Sequence, residues 1–236
     1  MPSAARAYAA VLDGRVHGKS SGTKALMYTI VTLGVIAATL AVLVLLPRAG
    51  VANVAPLRTG LCLACAYIYW LRLAVTLFYL LQRKVPILEA VSVSLFQAIW
   101  AVTACVLSTG IAWPHARDNV WTDLAAFSVY LLGSFVNTFS ELQRRWWKEV
   151  PSHRGRCCTE GLWTLAVHIN YFGDVVLFLG WTALAGAWWL CWVPLAMLLN
   201  FSCAQGPELD AYLEERYGEE FTAWRASTAY IIPFVW

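Results

Sequence analysis

The hydrophobic positions of this chain are gathered into long runs separated by short polar segments. Several runs approach the roughly 20 residues that a helix needs to cross a bilayer. The first four cover about residues 25–46, 60–81, 88–112 and 121–140. A fifth begins near Leu162 and a sixth ends near Phe201, with a break around Ala185 and Gly186. The pattern predicts an all-α, polytopic membrane bundle of about six transmembrane helices.

Composition supports a membrane protein. Of the 236 residues, 60% are hydrophobic and 13% are charged, whereas a soluble domain is nearer half apolar and a quarter charged. The net charge of +3 is small, and no basic patch interleaved with aromatic residues lies outside the loops that flank the runs. We therefore expect bilayer lipids and no nucleic acid as partners. The expected location is an integral membrane position, in the endoplasmic reticulum if the source is eukaryotic.

Lysine and arginine residues are distributed unequally between the loops. Residues 1–24, the loop after span two and the loop at 141–161 are basic, and six spans place all three on one side. The opposite loops carry only Arg48, Arg58 and Arg117. The positive-inside rule then predicts that both termini are cytosolic. A transit peptide is an alternative interpretation of the basic head, but a positive flank that orients span one explains the same residues.

The segment after the last run is charged and helical in spacing. One face carries Leu209, Tyr212, Leu213, Arg216 and Tyr217. This pattern predicts an amphipathic helix that begins at Pro207, ends near Gly218 and lies on the membrane surface or on the bundle. We expect the apolar residues 230–236 to pack back onto the protein. The whole chain is interpreted as one membrane domain, with a head (1–24), spans one to four (25–140), a basic loop (141–161), spans five and six (162–202) and an amphipathic end (207–236).

The cysteines and histidines do not indicate a disulfide framework or a metal site. Cys62 and Cys65 have the spacing of a redox pair or of half a zinc site. Within a helix they instead place two small residues on one face, and we interpret them as packing residues. Cys157 and Cys158 precede the fifth span, where palmitoylation is an alternative. The four histidines show no ligand spacing, and we predict no metal.

Two clusters of polar residues lie at the ends of neighbouring apolar runs. The first contains Asn137, Ser140, Glu141, Arg144, Arg145 and Lys148, and the second contains His168, Asn170, Tyr171 and Asp174. Polar groups at this depth are costly unless they pair or serve function. Members of the first cluster recur every three or four residues, so they share one helix face if the helix continues beyond the membrane.

The residue types in these clusters suit a charged, polar cofactor. Amides and carboxylates bind hydroxyl and N–H groups, while arginine and lysine bind phosphates. Alternatively, the basic residues of the first cluster lie at the membrane surface and contact lipid headgroups. For the second cluster, the alternative is that Asp174 pairs with an arginine of the preceding loop and holds two helices together. The two clusters together favour a cofactor site beside lipid, and therefore a lipid-modifying enzyme.

The same residues resemble the C-terminal signature of the steroid 5α-reductase family. The resemblance rests on Gly161-Leu162-Trp163, on Asn170-Tyr171-Phe172-Gly173-Asp174 and on the first polar cluster, and it continues to Tyr212-Leu213 and Ile231-Ile232-Pro233-Phe234. It covers about residues 129–236. Membrane methyltransferases of isoprenylcysteine and phospholipids share the general architecture, but they usually carry Arg-His-Pro before the tyrosine, where this chain has Val167-His168-Ile169.

The resemblance implies NADPH in a cytosol-facing cavity and hydride transfer to a carbon–carbon double bond conjugated to a carbonyl. The positions it carries over as cofactor contacts are Asn137, Glu141, Arg145, Lys148, Asn170 and Tyr212. We add their polar neighbours His168, Tyr171 and Asp174. An arginine that the family has shortly before its last helix is Ala204 here. The alternatives are a methyltransferase that uses S-adenosylmethionine and a lipid-binding membrane protein without catalysis.

A reductase of this kind needs a hydrogen-bond donor at the substrate carbonyl. Tyr69, three residues before Arg72, resembles the family's substrate tyrosine. An alternative alignment shifts the matching position toward Leu71. In a second alternative, Tyr69 only packs in the bundle. The family's glutamate in the preceding helix has no counterpart, because no acidic residue lies between Asp13 and Glu89. Glu89 either substitutes for it or only caps span three. We expect the substrate to be a steroid, polyprenoid or fatty-acyl lipid.

Overall fold

Three long apolar helices begin the part of the chain that the computed structural model describes, which is residues 21–111 and 119–235. They are α1 (Ser21–Arg48), α2 (Pro56–Leu80) and α3 (Ile87–Ser108), and each is long and apolar enough to cross a membrane. Their outer faces expose large apolar side chains, such as Leu33 (60%) and Ile99 (63%). Extended apolar surface of this kind is stable where lipid covers it. The predicted all-α membrane bundle is confirmed, and the described residues contain no strand.

The later helices are less uniform in length and polarity. They are α4 (Val120–Glu149), α5 (Ile169–Ala185), α6 (Trp192–Asn200), α7 (Gly206–Tyr217) and α8 (Glu219–Ser227). The 30-residue α4 has a charged C-terminal third, and the apolar α5 has 17 residues. Both are therefore weaker candidates for spans than the first three helices, and α6 is shorter still. The predicted spans four to six and the predicted orientation remain predictions.

The described residues form two compact units. The N-terminal unit contains residues 21–111, 119–131 and 177–192, and the C-terminal unit contains residues 132–176 and 193–235. Helices α4 and α5 contribute residues to both. The interpretation of the chain as one membrane domain stays a prediction. Predicted features at residues 1–20, including His17, and at Ala112, Trp113, Pro114, His115, Arg117 and Trp236 lie outside the described residues.

Aromatic rings fill the core of the N-terminal unit. Trp181 lies 5.7 Å from Tyr130 and 5.8 Å from Tyr69, measured between ring centroids. The Trp181 indole donates a hydrogen bond to Cys62 Sγ at 3.3 Å. Cys62 and Cys65 are fully buried, so their interpretation as packing residues is confirmed.

Helix α5 begins seven residues later than the predicted start near Leu162. Gly161 has a φ of +64°, in the left-handed region that favours glycine, and a short 3₁₀ turn (Gly161–Thr164) follows. The N–H groups of Val167 and His168 then donate to tail carbonyls instead of entering a helix. The apolar run is therefore only partly helical, because its first residues bond to a distant segment.

The first part of the C-terminal tail packs back onto the protein as predicted, whereas Phe234 and Val235 are exposed. The carbonyls of Ala229 and Tyr230 accept the two bonds just described, at 2.8 and 2.9 Å. Tyr230 and Ile231 are buried. The tail therefore holds the segment that precedes α5.

The α-helical segment α7 begins at Gly206 with Pro207 in its first turn, within one residue of the predicted start. The backbone is helical without interruption from α6 through a π-helical turn (Phe201–Gln205) into α7. Proline lacks the N–H that an α-helical bond needs, and the wider π turn before it accommodates that loss. The predicted end of α7 at Gly218 is confirmed, with a φ of +57°. The predicted break after span five is also confirmed, because α5 ends at Ala185 and Gly186 has a φ of +70°.

Candidate cofactor cleft

The two polar clusters meet where α4 packs against the start of α5 within the C-terminal unit. Asn137 Nδ2 donates a hydrogen bond of 2.9 Å to the Asn170 carbonyl. The backbones approach closely because Gly173 has no side chain: a Cβ there would lie 2.4 Å from Asn137 N. A glycine is required at such a contact. The sequence therefore places an amide and a glycine where two polar helix faces meet.

Glu141 joins the two clusters. Its Oε1 accepts a hydrogen bond of 3.0 Å from Asn170 Nδ2, and its Oε2 is paired with Arg144. A carboxylate can only accept, so this contact determines the orientation of the Asn170 amide. Asn170 Oδ1 then points elsewhere, is buried and has no hydrogen-bond partner in the described part of the chain. A buried acceptor without a donor costs about 1–3 kcal/mol, which a bound ligand can offset.

A cleft that is open to solvent, with a cavity volume of about 30 Å³, lies beside Asn170. Its walls combine cations with aromatic rings, namely Arg144, Lys148, Trp163, His168, Tyr217 and Trp224. The Trp224 indole N–H is buried and has no acceptor among the residues described. Two residues of the cleft wall, Asn170 and Trp224, therefore each have one buried polar atom that no described residue pairs. A carboxamide or a sugar hydroxyl can both donate and accept.

The two cations of the cleft have different neighbours. Arg144 lies 5.2 Å from the Trp163 ring, and its pKa is raised because the attraction of Glu141 outweighs the opposing effect of burial. Lys148 donates a hydrogen bond of 3.3 Å to the neutral Tyr217 hydroxyl. No described carboxylate pairs with Lys148. Lys148 therefore has the positive charge most available to an anionic ligand.

Arg145 is placed differently from its neighbour Arg144. It pairs with Glu149 at 3.2 Å, one turn further along α4, and it is not part of the cleft wall. Successive helical residues point about 100° apart. The resemblance carries over Arg145, but the side chain in the wall is that of Arg144.

His168 is buried in a network that connects the start of α5 to α7 and α8. Its Nε2 lies 2.9 Å from Asp210 Oδ1, and Asp210 Oδ2 accepts a hydrogen bond of 3.3 Å from Arg225. The imidazole stacks on Tyr171 at 5.1 Å and meets the edge of Tyr230 at 4.9 Å. These contacts hold one wall of the cleft. Neither Asp210 nor Arg225 was predicted, because their sequence separation from His168 gives no signal.

The remaining predicted cofactor residues do not line the cleft. Tyr171 stacks on Phe201 at 4.4 Å. The Tyr212 hydroxyl accepts a hydrogen bond of 2.6 Å from Arg216. Asp174 is half-buried in the second turn of α5, and Ala204 is exposed in the π turn. The structure thus brings Lys148, His168 and Asn170 to the cleft, with Asn137 and Glu141 behind Asn170.

Cys157 and Cys158 are 5% and 4% exposed. Burial, with a smaller effect of Glu220, raises the pKa of Cys157 to about 11. Burial also raises the pKa of Cys158. Acylation needs an accessible thiolate. The palmitoylation interpretation is therefore contradicted.

Tyr69 lies in the N-terminal unit and is 7% exposed. Its hydroxyl accepts a hydrogen bond from Gln97 Nε2, and the Arg72 guanidinium lies 4.8 Å from its ring. Gln97 Oε1 and the Trp100 indole N–H are buried without a partner among the described residues. Gln97 was not predicted, because a single amide in an apolar run does not indicate which helix it faces.

Glu89 lies in the first turn of α3. It forms an ion pair with Arg83 from the preceding loop, and both side chains are about 30% exposed. An acidic residue in a first turn also stabilises the helix N-terminus. These contacts agree with the capping interpretation of Glu89. The side chain that donates a hydrogen bond to the Tyr69 hydroxyl is that of Gln97.

Comparison with known proteins gives a family for almost the whole chain. A family model described as a protein of unknown function (DUF1295) matches residues 24–228. The matched range includes Tyr69 and every residue assigned above to the cleft wall. No curated protein matches the chain.

Proposed function

We propose that this chain, which belongs to the DUF1295 family of proteins of unknown function, is a membrane-bound, NADPH-dependent reductase of a carbon–carbon double bond in a lipid. The observation that carries the proposal is the buried Asn170 Oδ1, which Glu141 turns away from itself and which has no donor among the described residues. The resemblance of the surrounding motif to steroid 5α-reductases supports the choice of cofactor.

NADPH carries the groups for which the cleft lacks partners. Its carboxamide and ribose hydroxyls can donate to Asn170 Oδ1 and accept from the Trp224 indole. Its phosphates suit Arg144 and Lys148. Lys148, without a carboxylate partner in the described chain, is the best candidate for the 2′-phosphate that distinguishes NADPH from NADH. When bound, NADPH supplies the hydride.

The chain's own residues then have separate roles. Glu141 orients Asn170 and holds Arg144, while Asp210 holds His168 in the wall. Reduction of a double bond conjugated to a carbonyl develops negative charge on the carbonyl oxygen, which a hydroxyl donor stabilises. We assign this role to Tyr69, with Gln97 orienting its hydroxyl. The exposed apolar surface of α1 to α3 supports a substrate taken from the bilayer, of the steroid, polyprenoid or fatty-acyl class.

The test is a comparison of ligands by thermal unfolding of the purified full chain. A ligand that binds the folded state stabilises it by about 2.7 kcal/mol at a concentration of 100 Kd. We expect stabilisation by NADPH at lower concentrations than by NADH, and little by S-adenosylmethionine. Lys148→Met should reduce the difference in affinity between NADPH and NADH. The matched Lys84→Met, in the loop between α2 and α3, should leave that difference unchanged.

Each other result has a different meaning. Stabilisation by S-adenosylmethionine alone indicates a methyltransferase. Stabilisation by none of the three contradicts the cofactor assignment and favours a lipid-binding protein. Equal affinities for NADH and NADPH contradict the role of Lys148 but leave the dinucleotide site intact.

A further inference from the structure

The cofactor cleft is too small for a dinucleotide in this conformation. Its volume is about 30 Å³, whereas sites for small molecules measure roughly 300–1,000 Å³. A ligand of that size can enter only if one wall of the cleft moves, and closure of a movable segment over a bound substrate or cofactor is common in enzymes. The walls differ in how firmly they are held.

The helical walls of the cleft are held by contacts that do not yield easily. Helices α4 and α5 meet through their backbones at Gly173. Asp210 joins α7 to the start of α5, because its Oδ1 lies 2.9 Å from Nε2 of the buried His168. Its Oδ2 also accepts a hydrogen bond of 3.3 Å from Arg225 of α8. Separation of these elements would leave buried polar groups without partners, so we interpret them as the fixed part of the cleft.

The remaining wall belongs to residues 154–160, which we call the strap. Cys157 and Cys158 of the strap line the cleft, and the segment has no regular secondary structure. These two side chains are its buried ones, and a cysteine buries little apolar area. Gly155, with a φ of +80°, lies within the strap, and Gly161 directly follows it. Glycine accepts the changes in backbone torsion that a hinge requires.

One side chain, that of Glu220 in the first turn of α8, joins the strap to the helices that face it. Its Oε1 accepts a hydrogen bond of 3.3 Å from Arg156 Nε, and its Oε2 accepts one of 3.2 Å from the Cys157 backbone N–H. Among the described residues, no other hydrogen bond joins the strap to α7 or α8. The Arg156 side chain is 62% exposed, so water can replace this ion pair at little cost. The strap is therefore the wall that opens most easily.

We propose that the strap is a lid on the cofactor cleft, that Glu220 is its latch, and that the lid opens to admit the dinucleotide. The inference rests on the proposed NADPH-dependent function and adds a control of access to the same site. If only the open form binds, the apparent dissociation constant equals the intrinsic one divided by the open fraction. Release of the latch should therefore strengthen NADPH binding.

The buried thiols of the strap can report its opening without any cofactor. Labelling of the full chain in nanodiscs by N-ethylmaleimide is followed at Cys157 and Cys158 by peptide mass spectrometry. Glu220→Ala removes both bonds of the latch and should speed labelling at both cysteines roughly three- to tenfold, the effect of a lost hydrogen bond. Glu219→Ala is the matched control, because it removes the same charge from the first turn of α8 at a residue without a described contact to the strap.

Cys158 distinguishes opening of the strap from a change in charge. Burial and, to a smaller extent, Glu220 raise the pKa of Cys157, so removal of Glu220 by itself makes that thiol more reactive. The pKa of Cys158 is raised by burial, and Glu220 is not among its causes. Cys62, which is fully buried in the N-terminal unit, should stay unlabelled and thereby excludes global unfolding. Unchanged labelling of Cys158 in Glu220→Ala would overturn the proposal.

Arg156→Met covers the case in which Glu220→Ala does not fold, because it removes one bond of the latch at an exposed position. Labelling of Cys158 should again rise, by a smaller factor than in Glu220→Ala. Arg154→Met is the control, since Arg154 is exposed and forms no ion pair within the described chain. Equal labelling of Cys158 in the two arginine variants would count against the latch and overturn the proposal.

Titration with NADPH separates the lid from the cofactor assignment. The NADPH dissociation constant of Glu220→Ala should be lower than that of Glu219→Ala by the factor that separates their rates of Cys158 labelling. Equal NADPH affinity of these two variants, despite faster labelling in Glu220→Ala, would show that the strap does not control access and would overturn the lid. If no variant binds NADPH, the proposed function is contradicted, whereas faster labelling of Cys158 still supports the latch.

Discussion

Asn170 is the residue on which the proposed cofactor site depends most, because its two amide atoms have different surroundings. Nδ2 is bonded to Glu141, and Oδ1 is buried without a partner among the described residues. The first contact orients the side chain, and the second atom is left for a ligand. A purely structural asparagine would be expected to have both atoms paired.

Asn170→Ala should weaken NADPH binding roughly tenfold to a hundredfold, since a buried hydrogen bond to the ligand is lost. The variant without ligand should lose less than about 1.5 kcal/mol of unfolding free energy, because Glu141 keeps Arg144 and an unpaired atom disappears. Titration with NADPH and chemical denaturation measure the two effects. Asn200→Ala, at an exposed position, is the control. A large loss of stability with native affinity in the folded fraction would favour a structural role.

Tyr69→Phe should reduce turnover by roughly 10²- to 10³-fold, because a hydroxyl that stabilises the carbonyl oxygen is removed. The ring stays in its aromatic cluster, and NADPH affinity should not change. The assay is NADPH oxidation with the lipid found by screening extracts. Tyr67→Phe is the matched control, since Tyr67 is 43% exposed and its hydroxyl lies 3.0 Å from that of Thr39. Full activity of Tyr69→Phe would contradict the assignment.

At the scale of elements, glycines on α5 allow its close contacts with α4. In the C-terminal unit, a Cβ at Gly173 would lie 2.4 Å from Asn137 N. In the N-terminal unit, a Cβ at Gly180 would lie 2.4 Å from Tyr130 N. Both contacts are with backbone, which cannot move aside as a flexible side chain can. The position of Asn170 relative to Glu141 therefore depends on a glycine that makes no polar contact itself.

Gly173→Ala should lower the free energy of unfolding by about 1–3 kcal/mol, the usual cost of overpacking. NADPH affinity should fall with it, because Asn137 and Asn170 are forced apart. Gly60→Ala is the control: nothing lies within 4 Å of its added Cβ, and alanine is the better helix former by about 1 kcal/mol. Denaturation and NADPH titration of both variants measure the outcome. Unchanged stability in Gly173→Ala would show that α4 and α5 are not in contact there.

At the scale of the whole molecule, the number of spans that precede Lys148 decides on which side the proposed cofactor site opens. Within residues 21–111 and 119–235, three helices meet the length and polarity of a span, while spans four to six are predicted from apolar runs. An even number of spans places both termini on one side. If α4 is the fourth span, Lys148 near its end lies on the same side as the N-terminus, which the positive-inside rule predicts to be the cytosol, where NADPH is found.

Tags at the two ends should therefore both be accessible from the cytosolic side of sealed cells or vesicles. The physical reason is the positive-inside distribution of lysine and arginine around an even number of spans. Protease protection of each tag, with detergent as the control for complete cleavage, gives the measurement. Protection of one tag alone would mean an odd number of spans and would contradict the six-span topology.

Much of the fold follows from local properties of the sequence. Apolar runs of bilayer length predict helices because a backbone in lipid must satisfy its hydrogen bonds within the segment. The same reasoning identified the polar clusters around Asn137 and Asn170 and the break at Gly186. These features depend on residue type and spacing, which the chain carries without reference to its other segments.

Only the tertiary structure decided which of these groups are paired. Arg144 rather than Arg145 enters the cleft wall because of where α5 packs, and Glu141 orients Asn170 from another helix. The late start of α5 depends on bonds to a tail about 60 residues away along the chain. The contact of Gln97 with the Tyr69 hydroxyl joins α3 to α2. Spacing along one helix sets the direction of a side chain, but the neighbour it meets is set by contacts between distant segments, which local pattern does not encode.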